Sequence, residues 1–293
     1  MSGAVAIAFS AILYRLAEVS PSTGAFFRCL YALPVLWLLA RWEDRRFGSR
    51  PLALRRTAWL AGAFFAADLI LWHHSIEAVG AGLATVVGNT QVVLVGLIAW
   101  AVLSERPPAG ALVAVPLATV GIFLISGVVE EGAYGENPPL GALLGVLTGI
   151  AYSAFLLVLR HGSRDLRRVA GPLYDATLVT VVLVVPAGLV LGELDFTPPL
   201  AAHGWLLLLA LSSQVLGWLL ITVSLPRLPA VLTSVLLTFQ PLMSVAFAAV
   251  LLAEDPSALQ LAGAAAILAG LVVASVGRRR ARPREPALES ATG

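Results

Sequence analysis

The chain is written as long apolar runs separated by short polar stretches. Ten runs can be marked, at about residues 3–19, 22–41, 57–77, 80–103, 107–128, 138–160, 170–192, 203–225, 228–252 and 256–277. Each is close to the ~17–25 residues that a helix needs to cross the hydrocarbon of a bilayer. None shows the two-residue alternation, over ten residues or so, of a barrel strand. Helix is therefore the assignment that satisfies the backbone in lipid. The pattern predicts an all-α integral membrane protein of ten transmembrane helices. Pro21, Pro138 and Pro256 fall near span starts, as do Pro107 and Pro229. A missing N–H is tolerated there. Pro34, Pro116, Pro186 and Pro241 fall inside spans, where kinks are expected.

Two of these stretches are one stretch written twice. Residues 80–126 align without a gap on residues 229–275, an offset of 149 that sets Gln91 on Gln240, Glu105 on Glu254, Pro107 on Pro256 and Gly121 on Gly270. Apolar letters coincide by chance in such a chain, so the polar, Gly and Pro matches carry the argument. Earlier spans repeat more weakly: GAVAIAFSAILY at 3–14 resembles GALLGVLTGIAY at 141–152, pairing Tyr14 with Tyr152.

Charge sets the orientation. The link between spans 2 and 3 holds Arg41, Arg45, Arg46, Arg50, Arg55 and Arg56, the link between spans 6 and 7 holds Arg160, Arg164, Arg167 and Arg168, and the tail holds Arg278, Arg279, Arg280, Arg282 and Arg284. With ten spans all of these share one side, with Arg106 and Arg227. The opposite side carries Glu77, Glu130, Glu131, Glu136, Glu193, Asp195, Glu254 and Asp255. The positive-inside rule then places both termini in the cytoplasm. Two halves of five spans each insert in opposite senses, an inverted-topology repeat of the kind found in transporters. The expected organisation is a first five-helix repeat at 1–128, a second, inverted one at 138–277, and a disordered cytoplasmic tail at 278–293.

Composition narrows the class. The chain is 59% hydrophobic and 12% charged, with mean hydropathy +0.89, whereas soluble domains are about 45–50% apolar and about 25% charged. The pI near 9.0 reflects arginines at the ends of apolar runs. That is a membrane-topology signal, and a nucleic-acid partner is not expected. Arginine stands where lysine would be found, which fits a high-GC bacterial source. One cysteine, Cys29, leaves no internal disulfide and no Cys-based metal site. No cleavable signal peptide is expected, since the apolar start has no basic region before it.

These features together resemble the drug/metabolite transporter superfamily, EamA type. The resemblance covers nearly the whole chain apart from the tail. It rests on the two inverted fives, SPSTGAFFR entering span 2 (Pro21 to Arg28), AVGAGLAT entering span 4, and the E-R-P and E-D-P endings after spans 4 and 9. The chain departs from the family near Gln91, where many members carry proline; here only the second copy keeps it, as Pro241. The resemblance implies a carrier of a small organic solute, an amino-acid-like metabolite or a drug-like compound, and an exporter of a bacterial inner membrane.

Asp68 is the leading candidate for the chemistry. It lies near the middle of span 3, and an ionised carboxylate at that depth costs roughly 2.5–3.5 kcal/mol unless it is paired or faces water. It suits a substrate ammonium or a coupling proton; the competing reading is a helix-packing acid. Its partner at the 149 offset is Gly217, so the site is asymmetric. Gln91 and Gln240 share a mid-span depth and are expected to face each other across a cavity, or else to cross-link helices. Asn89, Gln214 and Thr238 are weaker polar candidates. Trp72, Trp218, Tyr14 and Tyr152 are candidate apolar walls, with interfacial anchoring as the alternative.

Other residues read as structural. Arg28 is expected to pair with Glu18 and pin spans 1 and 2, or else to attract an anionic group. Glu105 and Glu254 are expected to accept N–H bonds at the start of the helix that follows each. Gly141, Gly145 and Gly149 form a small-residue stripe that calls for a close helix contact. His73 and His74 point to different faces and do not make a chelating pair, so no metal is expected; an outer-leaflet hydrogen-bonding or proton-relay role fits them.

Three functions compete. A secondary carrier working by alternating access needs no nucleotide, and no phosphate-binding G-x-x-x-x-G-K-[ST] occurs. No cofactor is expected. An intramembrane enzyme is disfavoured: Tyr174–Asp175 superficially resembles the Y-D of aspartyl proteases, but no second aspartate lies at depth. A channel or non-transporting scaffold is the remaining alternative. The partners expected are a small-molecule substrate and the lipid bilayer.

Overall fold

The computed structural model describes residues 7–104, 109–162, 165, 167–224 and 230–277. Glu105, Arg106, Pro107, Arg164, Arg227, Pro229, the side chain of Thr238 and the tail 278–293 lie outside that description. The described residues form helices and no strands: α1 (Ser10–Ala17), α2 (Pro21–Phe47), α3 (Leu52–Val79), α4a (Ala81–Gly88), α4b (Gln91–Leu103), α5 (Ala109–Ile125), α6 (Pro138–Gly162), α7 (Ala170–Leu191), α8a (Leu200–Leu209), α8b (Trp218–Ser224), α9 (Ala230–Leu251) and α10 (Ala258–Gly277). Between α8a and α8b the chain is wound as a π-helix, Ala210–Gly217.

Among the described residues five stretches are long and apolar enough to cross a membrane: Pro21–Phe47, Ala81–Val102 taken through its central turn, Pro138–Arg160, Ala170–Leu191 and Leu200–Leu220. Shorter apolar helices follow at Ala109–Ile125, Phe239–Leu251 and Ala258–Ala274. The third apolar segment is helical over a longer range than its run, and Asp68, His73 and His74 dilute its apolar character. Polarity is arranged inside out. Val190, Leu200 and Val250 are over 80% exposed, while Thr23, Arg28, Asp68, Gln91, Asp175 and Gln214 are buried. An apolar girth around a polar interior is what a protein dissolved in lipid requires.

The helix packings come in matched sets. α3 lies on α6 as α8a lies on α1; α3 touches α7 as the π-helix and α8a touch α2; α2 packs on α7, α4a on α9 and α5 on α10. Exchanging each helix for the one five places along leaves this set unchanged. Glutamates at helix ends fix the senses. Glu43, near the end of α2, accepts the N–H groups of Val169, Ala170 and Gly171 at the start of α7, each at 2.8 Å. Glu193, just past the end of α7, meets the start of α2 through Ser22 Oγ at 3.2 Å and through its carbonyl, which accepts from Thr23 Oγ1 at 3.1 Å. α2 and α7 are therefore antiparallel and close on each other's termini.

Helix continuity does not follow the intra-span prolines. The helices run on through Pro34, Pro116, Pro186 and Pro241. Span 4, which lacks the proline, breaks at Asn89–Thr90. There Asn89 Nδ2 donates to Thr85 O at 2.8 Å, Thr90 Oγ1 donates to Val87 O at 2.7 Å, and the Thr90 N–H takes the same Val87 carbonyl. Short polar side chains here compete with the ladder for its carbonyls, which is how Asn and Thr interrupt a helix.

The glycine stripe on α6 holds this break in place. A Cβ at Gly145 would lie 2.7 Å from Val87 Cγ1, and one at Gly149 would lie 3.1 Å from Thr90 Oγ1 and 3.4 Å from Gln91 N. Ser153 Oγ donates to Gln91 O at 3.3 Å beside them. The close contact expected from the small-residue spacing is formed, Gly141 against Val79 at the end of α3, and Gly145 and Gly149 against span 4 on either side of its turn.

Candidate functional site

A cavity of about 490 Å³ opens into the middle of the bundle. That is within the ~300–1,000 Å³ range of small-molecule sites. Its wall includes Asp68 and Trp72 from α3, Asn89 and Gln91 at the α4 break, Tyr152 from α6, Trp218 from α8b and Gln240 from α9. The two repeat-related glutamines thus share one cavity. At one end the wall passes Leu159 and Leu173 and reaches the exposed Arg160 in the last turn of α6 and Asp165 and Arg168 in the α6–α7 link.

The opposite end is filled by polar contacts. Tyr14 OH donates to Glu77 Oε1 at 2.9 Å, and the Tyr14 ring stacks on His73 with centroids 4.0 Å apart. His73 Nδ1 lies 3.0 Å from Pro21 O, and His74 Nε2 lies 3.2 Å from Glu193 Oε2. Glu254 accepts from Ala81 N at 2.6 Å and Gly82 N at 3.1 Å. It therefore caps α4a, in the other half of the molecule, and not the helix that follows it. Burial raises the Glu254 carboxyl above its ordinary value; the two N–H bonds oppose that.

Tyr14 is not part of the cavity wall, because its hydroxyl and ring are taken up at this closed end. Gln214 is not in the wall either. It stands behind it, accepting from Arg28 Nε at 3.2 Å and donating from Nε2 to Thr177 Oγ1 at 3.3 Å. Trp218 sits in an aromatic cluster, edge-on to Phe65, Tyr152 and Phe155 at 6.1, 5.9 and 5.4 Å. Phe65 and Phe155 stack at 4.6 Å, and of the two only Phe65 reaches the cavity.

Arg28 is where the sequence reading fell short. No Arg28–Glu18 ion pair forms among the described residues. The guanidinium turns into the cavity wall, 4% exposed, and lies over the Trp72 ring at 5.6 Å. Thr148, mid-helix in α6, also lines the cavity and was not singled out. A signal was available for each: a charge placed inside an apolar run after Pro21, and a hydroxyl next to the glycine stripe at the depth of Gln91.

Asp175 belongs to a separate buried cluster beside the α6–α7 link. Arg50 Nη2 reaches its Oδ2 at 2.7 Å and Arg55 Nε at 3.3 Å. Arg168 bonds the carbonyls of Phe47 and Gly48. Arginines that read as topology signals also brace the link between α2 and α3.

A family described as the EamA-like transporter family matches the chain twice, at residues 1–127 and 139–276. The chain belongs to the EamA-like transporter family. It is thus a multi-pass membrane protein of a family of small-solute transporters, whose members are typically not enzymes. Among solved structures 24 chains match. One crystal structure aligns over 96% of this chain and 96% of its own, at a TM-score of 0.62 and 14% sequence identity, a likeness of fold alone. No curated protein matches this EamA-like chain.

Proposed function

We propose that this EamA-like protein is a secondary carrier of a small, amino-acid-like organic solute. It works by alternating access, in the export direction, across a bacterial cytoplasmic membrane. In this reading it has ten spans in two inverted repeats, 1–128 and 138–277, with both termini and the Arg-rich links in the cytoplasm. It is not an enzyme. The observation that carries the reading is a cavity set among helices of both repeats, with one carboxylate, Asp68, at mid-membrane depth and without a hydrogen-bond or ion-pair partner among the described residues. Such a group is costly in a membrane unless it serves a pathway or a substrate. Asn89, Gln91 and Gln240 supply polar contacts, Trp72, Tyr152 and Trp218 the apolar walls. The mouth at Arg160 and Arg168 faces the side assigned to the cytoplasm. The closed end, at Tyr14–Glu77 and His74–Glu193, faces outward. The form described is then inward-facing.

The test is overexpression in bacteria with comparison of intracellular and medium metabolite pools, and Asp68→Asn as control. The expected result is an expression-dependent rise of one or a few amine-bearing solutes in the medium, abolished by the substitution. If Asp68 also carries the coupling proton, Asp68→Asn retains solute exchange in proteoliposomes while losing pH-driven accumulation. Unchanged pH-driven transport in that variant would remove Asp68 from the mechanism.

A further inference from the structure

An arginine and an aspartate share this cavity without forming an ion pair with each other. Arg28 and Asp68 both line it, both are over 90% buried, and no ion pair joins them. Arg28 is held where it is by other groups. Its Nε donates to Gln214 Oε1 at 3.2 Å, Gln214 Nε2 donates to Thr177 Oγ1 at 3.3 Å, and the guanidinium lies over Trp72 at 5.6 Å. That leaves Arg28 Nη1 buried with no acceptor. Thr148 Oγ1, in the same wall, is also buried with no partner. Buried donors without acceptors are rare in native proteins and call for an explanation. A buried guanidinium with part of its donor set unmet is costlier than a neutral group in the same state.

We infer that Arg28 and Asp68 form the two ends of a zwitterion site. Arg28 Nη1 donates to a carboxylate of the solute, Asp68 accepts from its ammonium, and Thr148 Oγ1 gives a further hydrogen bond. This rests on the carrier reading above and deepens it, because it assigns an anionic subsite as well as a cationic one. Gln214 and Thr177 are positioning residues: they fix the guanidinium away from Asp68, so that the two charges stay apart and a solute fits between them. Phe65, Leu69, Trp72, Tyr152, Leu156 and Trp218 make the rest of the wall largely apolar. The solute class is therefore an α-amino acid with an apolar side chain, neutral overall. It satisfies both buried charges at once, which neither an amine nor an acid alone does.

The test uses the purified full chain in nanodiscs and equilibrium dialysis with mass-spectrometric readout. The probes are leucine, isoleucine, valine and methionine, their methyl esters, which lack the anion, and their N-acetyl forms, which lack the cation. The amino acids are expected to be retained about 10- to 100-fold better than either derivative, the range of a hydrogen bond to a charged group. Arg28→Gln should lower amino-acid retention by a similar factor and close the gap to the esters. Thr148→Val, nearly isosteric, should lower it about 2- to 10-fold and guards against a fold defect in the first variant. Esters retained as well as amino acids, no retention of any amino acid, or no effect of either substitution each overturns the site. The carrier reading fails separately. If amino acids bind in an Arg28-dependent way but are not moved in proteoliposomes, transport is wrong and the site stands. If a solute of another class is exported and amino acids do not bind, the site is wrong and transport stands.

Discussion

Glu254 accepts the backbone N–H of Ala81 at 2.6 Å, so the loop after α9 closes on the start of α4a, 173 residues earlier in the chain. A helix N-terminus carries unsatisfied N–H groups and a partial positive charge, and a carboxylate is its natural partner. The same device recurs where Glu43 receives three N–H bonds from the start of α7. In both places the helix that is capped belongs to the other half of the molecule, so the halves are joined at helix ends as well as along helix faces.

The Glu254 joint has a pH dependence with a definite sign. Burial raises its carboxyl in the folded protein, despite the two N–H bonds that favour the ionised form. A folded value above the unfolded one means that the site's stabilising contribution is fully present below the ordinary carboxylate value. It is lost as pH rises through the raised one. Glu254→Gln fixes the neutral form and should flatten that part of the profile. Thermal unfolding of wild type and variant across the acid range, in the same detergent, checks this. Parallel curves for the two proteins would contradict it.

Asp175 separates a buried ion pair from an exposed one within a single site. Arg50 and Asp175 have side chains 7% and 1% exposed, whereas Arg55 is 44% exposed. Removing one partner of a buried pair strands the other charge and costs about 3–5 kcal/mol. An exposed partner is worth about 0–1 kcal/mol. Asp175→Ala should therefore destabilise strongly and Arg55→Ala barely, read as unfolding midpoints. Equal losses would mean that burial does not govern this cluster.

The glycine stripe sets the third expectation. Gly145→Ala puts a methyl group 2.7 Å from Val87 Cγ1, on a branched side chain with little room to turn. Overpacking of this kind costs about 1–3 kcal/mol. Val87→Ala in the same chain should return part of the loss, because it vacates the space that the new methyl needs. A double variant no more stable than Gly145→Ala would show that the two helices do not meet there.

Much of the architecture was legible because it is written in periodic or repeated signals. The apolar runs, the Gly141–Gly145–Gly149 spacing and the offset between Gln91 and Gln240 are all properties of the chain taken alone. Asp68 and Trp218 stood out because their type is unusual at their depth. What escaped notice depends on which helix lies opposite. Arg28 could be placed near Glu18 from sequence, but its true neighbours, Gln214 and Trp72, come from α2 meeting the π-helix and α3. Glu254 was recognised as a helix cap while its target, set by tertiary packing, was not. The α4 break at Asn89–Thr90 depends on these two side chains turning back onto the carbonyls of Thr85 and Val87, a local choice that the apolar run does not reveal.

Tyr14 and Glu77 offer a test of whether the filled end of the cavity is a closure. The hydroxyl donates to Glu77 Oε1 at 2.9 Å, and the ring is stacked on His73, which is anchored to Pro21 O at the start of α2. α1, α3 and α2 are thus tied at one point. If this end opens when the solute is released, the hydrogen bond is present in one state and absent in the other. Tyr14→Phe keeps the stack and removes only the bond. A bond worth about 1 kcal/mol shifts a two-state population roughly fivefold. With Cys29 replaced by Ala and Trp72→Cys as a reporter in the cavity wall, an impermeant thiol reagent added outside should label the Tyr14→Phe protein about five times faster. Reagent added from the cytoplasmic side should label it somewhat more slowly. Faster labelling from both sides would instead indicate general loosening, and no change from either side would show that the Tyr14–Glu77 contact plays no part in closing this end.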